Sequence, residues 1–153
     1  VLDGFQAGLA WITILRKRDG FRRAFDGFQP ETIAGWGEAE VTRLLADPGI
    51  VRHRGKIEAT IGNARAFLKI EERMGFADFV WRHVDGQPVH NAWACQSDVP
   101  AFTPLSVGLS KDLTQNGFRF CGPTITYAWM QATGLVNDHL ISCHRHGVLA
   151  GRS

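Results

Sequence analysis

No stretch of these 153 residues is apolar for long enough to cross a bilayer, and the opening residues lack the charged-then-apolar order of an export signal. No segment alternates polar and apolar residues over strand length, none repeats, and none is of low complexity, so sheets, solenoids and flexible linkers are not expected. Cysteine is scarce. Cys95, Cys121 and Cys143 are an odd number at irregular spacing, which argues against a disulfide framework and for a reducing, cytoplasmic setting. A dominant charge sign is also missing: 17 Lys and Arg against 15 Asp and Glu leave a net +2, so total charge cannot argue for nucleic-acid binding and only clustering can. There is no initiating methionine. The chain opens Val1-Leu2-Asp3-Gly4 inside what reads as an amphipathic helix, as a fragment would, so a site that draws on upstream residues is expected to be incomplete.

What is present is ordinary globular composition, 44% hydrophobic and 21% charged, in a length suited to one domain, 1–153, with a real core. The most informative stretch is 117–143. Gly117 and Gly122 bracket a short turn, and Ile125, Trp129, Met130 and Leu135 follow at helical spacing. A glycine-flanked turn that opens a helix leaves backbone N–H groups unpaired at the positive end of the helix dipole, a seat for phosphate, and Arg119 stands within it. Taken alone, the same stretch also suits an ordinary connection into a buried C-terminal helix.

Elsewhere the pattern predicts short helices. Residues 1–18 carry Leu2, Phe5, Leu9, Ile12 and Leu15 at helical spacing and end in Arg16-Lys17-Arg18. Gly4 and Gly8 in such a helix each cost about 1 kcal/mol relative to alanine, which suggests that something approaches closely. Asp3 and Trp11 fall near one face of that helix, where a carboxylate and an indole can grip a flat, electron-poor ring; a solvated acid and a core tryptophan are the plainer alternative. Helical pieces follow at 21–29 and 30–46, then an Asp47-Pro48-Gly49 turn and a long helix through 50–75. Its entrance carries Arg52, His53, Arg54 and Lys56, either a phosphate clamp or a solvated basic face. A short helix at 76–84, an irregular segment at 85–104 and a helix at 105–116 complete an all-α domain.

Several long blocks then make a specific resemblance. They are LDGFQAGLAWITILRKR (2–18), DPGIVRHRGKIEATIGNARAF (47–67), LSKDLTQNGFRFCGPTITYAWMQATGLVNDH (109–139) and the closing His139-x-x-x-Cys143. In that order, through essentially the whole chain, they resemble the bacterial DNA-3-methyladenine glycosylase I proteins of the helix-hairpin-helix DNA-glycosylase superfamily. The resemblance implies an all-α fold with a helix-hairpin-helix at about 106–134, and a monofunctional enzyme that flips 3-methyladenine out of alkylated double-stranded DNA and hydrolyses its N-glycosidic bond. It also implies roles for particular residues. The hairpin 117–122 would hold a DNA phosphate, Gly8 and Leu9 would form the wedge filling the vacated stack, and Trp11 would be the stacking wall. Asp3 stands where the family usually carries a glutamate and, one methylene shorter, would recognise the base and stabilise charge, with water as nucleophile.

Many relatives place an aspartate just after a valine beyond the hairpin. Here Val136 is followed by Asn137, and Asp138 is expected to cap or orient local structure instead. The hairpin contains no lysine, so a lyase mechanism is not expected. His139 and Cys143 correspond to two of the four ligands of the family's structural zinc. The other two, a cysteine and a histidine, belong to an N-terminal segment absent from this sequence. A two-ligand remnant is therefore expected to hold no zinc tightly, though the intact protein would carry one, and His144 and His146 are not favoured as substitutes. Two other readings remain: a non-catalytic helix-hairpin-helix DNA binder, and a structural helical domain for which the basic cluster is coincidence. A monomer is expected.

Overall fold

The computed structural model describes residues 1–151; the last two residues of the expected domain lie outside it. The described residues are mostly helical: α1 (Leu2–Gln6), α2 (Trp11–Arg16), α3 (Arg18–Ala24), α4 (Pro30–Ala34), α5 (Glu38–Ala46), α6 (Arg54–Met74), α7 (Phe76–Trp81), α8 (Pro104–Gln115), α9 (Pro123–Thr133) and α10 (His144–Leu149). The all-α expectation holds, with one small addition. Val89–His90 (β1) and Val136–Asn137 (β2) pair in parallel, Val89 against Val136 and His90 against Asn137. Two residues per strand are too few to register as period-2 alternation.

The 21-residue α6 is the spine. At about 1.5 Å per residue it is roughly 31 Å long, enough to serve two cores. Its N-terminal half contributes Ile57, Ile61 and Ala64 to a core with Phe5, Ile14, Phe21, Phe25, Ile33 and Leu44. Phe5 meets Phe21 edge-on at a centroid separation of 4.6 Å, a geometry that adds to simple area burial. The C-terminal half contributes Ile70 to a second core with Phe79, Leu109, Tyr127, Met130 and Leu135. Proline at the first helical position opens α4, α8 and α9, where its missing N–H costs nothing. Thr103 caps α8 by accepting from the Ser106 amide.

Three sequence expectations are corrected. Residues 1–18 are not one helix: α1 ends at Gln6, Gly8 sits at φ +77°, and α2 begins at Trp11. The suspected close approach is real at Gly4, whose virtual Cβ would lie 3.6 Å from the Phe120 carbonyl, but open space surrounds Gly8. Glycine is needed there for its left-handed backbone, not for room. The 30–46 helix is likewise broken into α4 and α5 around Gly35–Gly37. Finally, the helical run from Ile125 stops short of Leu135. Gly134 at φ +83° ends α9 in a left-handed cap, and the chain turns into β2.

Candidate active site

Asp3 lies in α1 and Trp11 opens α2, so they share no helix face, yet the break at 7–10 folds them onto one cavity. That cavity is about 620 Å³ and is lined by Asp3, Gln6, Trp11, His90, Gln131 and Asp138 among others. Trp11 is 44% exposed, and its indole is therefore a wall rather than core. No lysine is among the described residues lining the cavity. A second cavity, about 360 Å³, also touches Asp3, but its walls are aromatic (Phe67, Phe76, Phe118, Phe120, Trp129). Most of its polar side chains are bonded within the protein: the Lys56 ammonium donates to the Phe5 and Ala7 carbonyls, the Thr60 hydroxyl to the Lys56 carbonyl and the Thr126 hydroxyl to the Cys121 carbonyl, and Asn63 bonds the Arg119 backbone. The larger cavity, with open polar groups beside an indole, is the better seat for a flat cation.

Asp138 stands at the centre of the larger cavity's polar wall. Its Oδ1 accepts from Asn91 Nδ2 at 2.6 Å and Trp93 Nε1 at 2.8 Å. Its Oδ2 accepts from Gln131 Nε2 at 2.7 Å and from the Tyr127 hydroxyl. Burial pushes this carboxyl's pKa up, but the four donors outweigh it and the net shift is downward. Tyr127 moves the opposite way: burial, then its bond to Asp138 and that group's charge, raise the phenol and keep its proton in place. Asn137, where the superfamily's aspartate would fall, is buried. Its Nδ2 donates to the His146 carbonyl at 3.1 Å and lies 3.2 Å from His90 Nδ1, while its Oδ1 accepts from the His139 amide at 3.3 Å. It is structural. The expectation that Asp138 orients local structure fits this geometry, but nothing in the sequence indicates that it does so inside the cavity holding Asp3.

Of the residues expected to face DNA, Lys56 links the 7–10 loop to the hairpin. This side chain is buried, contrary to the picture of an open basic helix entrance. Its ammonium donates to the carbonyls of Phe5 at 2.8 Å and Ala7 at 2.5 Å, capping the C-terminal end of α1 where helix carbonyls lack partners. It also lies 5.9 Å from the Phe120 ring centroid. So Lys56 ties the 7–10 loop, the start of α6 and the hairpin into one unit, and its charge is not free for phosphate. Arg54 is exposed but paired with Glu38 at 2.8 Å and Glu58 at 3.3 Å. Arg52 is exposed, with no protein partner among the described residues. Leu9 projects from the 7–10 loop at 39% exposure.

In the hairpin between α8 and α9, Gly117 adopts φ +95° and Phe120 φ +56°. The Cys121 carbonyl accepts from Ser110 Oγ and Thr126 Oγ1, both at 2.7 Å, and Asn63 holds the Arg119 N–H and carbonyl. Arg119's own amide is therefore taken. The amides of Phe120, Cys121 and Gly122, at the start of α9, have no protein partner among the described residues. A hairpin with tied carbonyls and open amides at a helix N-terminus suits an anion.

The methyladenine glycosylase family model matches residues 1–146. The chain belongs to the methyladenine glycosylase family. It is 50% identical over 143 residues to the DNA-3-methyladenine glycosylase 1 of Escherichia coli, covering 93% of this chain and 76% of that protein. A crystal structure of a 3-methyladenine DNA glycosylase I superposes with a TM-score of 0.90 at 52% identity, covering 94% of this chain and 79% of the other. Another, a variant of such an enzyme in complex with 3-methyladenine, has a TM-score of 0.90 at 38% identity, covering 94% and 77%.

In this methyladenine glycosylase the suggested metal pair is close: Cys143 Sγ lies 3.7 Å from His139 Nδ1. Thiolate and imidazole sharing one tetrahedral zinc would be about 3.6 Å apart, so the pair fits half of a site. No group of three or more His, Cys, Asp or Glu that could hold a metal occurs among the described residues. His146 turns away, its Nε2 donating to the Asn91 carbonyl at 2.7 Å.

Proposed function

We propose that this methyladenine glycosylase releases 3-methyladenine from alkylated double-stranded DNA, acting as a monofunctional monomer in the cytoplasm. The observation that carries this reading is a cavity that places the Asp3 carboxylate and the exposed Trp11 indole together, on either side of the left-handed turn at Gly8 that presents Leu9. Adenine methylated at N3 is cationic and already a good leaving group. The site needs to hold a flat cation and stabilise the charge developing on the sugar, not to deliver a strong acid. Trp11 supplies the stacking face, Asp3 the negative charge, and water the nucleophile. The absence of lysine among the described cavity residues favours hydrolysis over a lyase step, which needs an amine.

Leu9 is the wedge that occupies the gap left by the flipped nucleotide. The open amides of Phe120, Cys121 and Gly122, flanked by Gly117 and Arg119, hold a backbone phosphate. Arg52 adds a phosphate contact from the start of α6, and Arg54 joins it by exchanging its carboxylate partners. His139 and Cys143 are two donors of a structural zinc, whose ion would fix the segment after β2 and take no part in bond cleavage. A bound zinc requires two further donors, so this chain alone is expected to hold none tightly, and Cys143→Ser should lower the zinc content only of a protein that supplies them.

The activity is tested by measuring free 3-methyladenine released from methylated duplex DNA. Asp3→Asn, which keeps shape and removes charge, is expected to lower release roughly a hundredfold while leaving duplex binding intact. Undiminished release by that variant would remove Asp3 from the mechanism. Duplex binding without release by the unaltered chain would instead favour a non-catalytic binder.

A further inference from the structure

Asp138 has both oxygens filled by four donors, so it has no lone pair left with which to act as a base toward substrate. Its consequence lies in what it does to its neighbours. A carboxylate can only accept, so every amide that meets it must turn its nitrogen inward. Gln131 does so, with Nε2 at 2.7 Å from Asp138 Oδ2. Its Oε1 is thereby turned away from Asp138, on a side chain that lines the cavity, and meets no protein donor among the described residues. A glutamine without such a partner could present either end to a ligand; this one is restricted to an acceptor. The anchor is itself rigid, because Tyr127 and Gln131 come from α9 and Asn91 and Trp93 from the segment after β1.

We infer that Asp138 is a positioning residue for base selection, fixing Gln131 so that its carbonyl oxygen reads the exocyclic amine of the flipped adenine. The inference rests on the glycosylase reading of the cavity and adds a specificity element to it. At the position where adenine carries an N6 amine, guanine carries the O6 carbonyl. An acceptor held there hydrogen-bonds the first and repels the second. If the amide could rotate, its NH₂ end would serve the guanine oxygen and the discrimination would shrink.

The test compares release of 3-methyladenine and 3-methylguanine from methylated duplex DNA by the unaltered chain, Asp138→Asn, Gln131→Met and the double variant. Each single change is expected to lower the ratio of the two bases by about tenfold, the scale of one net hydrogen bond. The double variant should be no worse than either single one, because both act through the same oxygen. Gln131→Met keeps the other three donors to Asp138, so it reports even if Asp138→Asn folds poorly. The same ratio can be read from the affinities of the two free bases, which needs no bond cleavage and separates this inference from the activity itself. An unchanged ratio in Gln131→Met, or effects that multiply in the double variant, would overturn it. A structural role for Asp138 alone would lower stability and leave the ratio where it was.

Discussion

Trp11 and Asp138 show how differently two residues of one cavity depend on the fold. Trp11 is 44% exposed, so little packing is lost when it is removed. Trp11→Ala should change stability by no more than about 0.5 kcal/mol, yet abolish base release while sparing binding to undamaged duplex. Thermal melting, excision and binding measured together check this; joint loss of all three would make Trp11 a core residue. Asp138 is the reverse case. Asp138→Ala would leave four donors facing a partly buried gap, a loss on the order of 3 kcal/mol in denaturant unfolding. Its pH signature has a definite sign. Its folded pKa is depressed, so its stabilisation is fully present above the ordinary carboxylate range and is lost as pH falls through the lowered folded value. Asp138→Asn should lack that component in a pH series of melting temperatures. An identical acid dependence in both proteins would show that the four-donor cage does not hold an anion.

At the level of elements, α1 packs against α9, and Lys56 joins the end of α1 to α6 beside the hairpin. Lys56→Met keeps most of the side-chain volume and removes the ammonium from two terminal carbonyls of α1. A loss of about 1.5–3 kcal/mol is expected, as for bonds to a charged donor, together with slower excision because the 7–10 loop loses its anchor. Stability and excision that both match the unaltered chain would sink this account. The existence of α6, α8 and α9 was legible in the sequence, because each is long and carries apolar residues at helical spacing. The break between α1 and α2 was not, although Gly4 and Gly8 were noticed. A glycine that costs a helix about 1 kcal/mol and a glycine that ends one look alike in a string of residues. Lys56 was misread for a related reason. Its neighbours Arg52, His53 and Arg54 are basic and exposed, and nothing local says that the carbonyls it caps come from about 50 residues earlier in the chain. Asp3 and Trp11 were paired for a helical periodicity that the structure does not keep, and the cavity that joins them is a product of tertiary folding.

For the whole molecule, the question is how a chain with a net charge of only +2 holds a polyanion. On the proposed reading a few placed donors do so, not total charge. Open hairpin amides, Arg119 and Arg52 lie on the segments gathered around Lys56, while Arg54 is held by Glu38 and Glu58. Affinity for undamaged duplex should then fall with salt on a shallow slope, set by a small number of phosphate contacts, each worth about 0.9 in log–log units. The two arginines should not be equivalent. Arg52→Glu removes a charge that no protein carboxylate offsets, so it is expected to weaken binding uniformly across sequences and flatten the slope by about one contact. Arg54→Glu removes a charge that must first leave two carboxylates to reach DNA, so its loss should cost less affinity and change the slope less. Fluorescence titrations of both variants between 50 and 200 mM salt, roughly the range over which such contacts are resolved, discriminate the cases. If Arg54→Glu proves the more damaging, exchanging its carboxylates for phosphate costs little and Arg54 is the stronger clamp. If neither slope moves, DNA lies along another face, and the hairpin amides must be tested without α6.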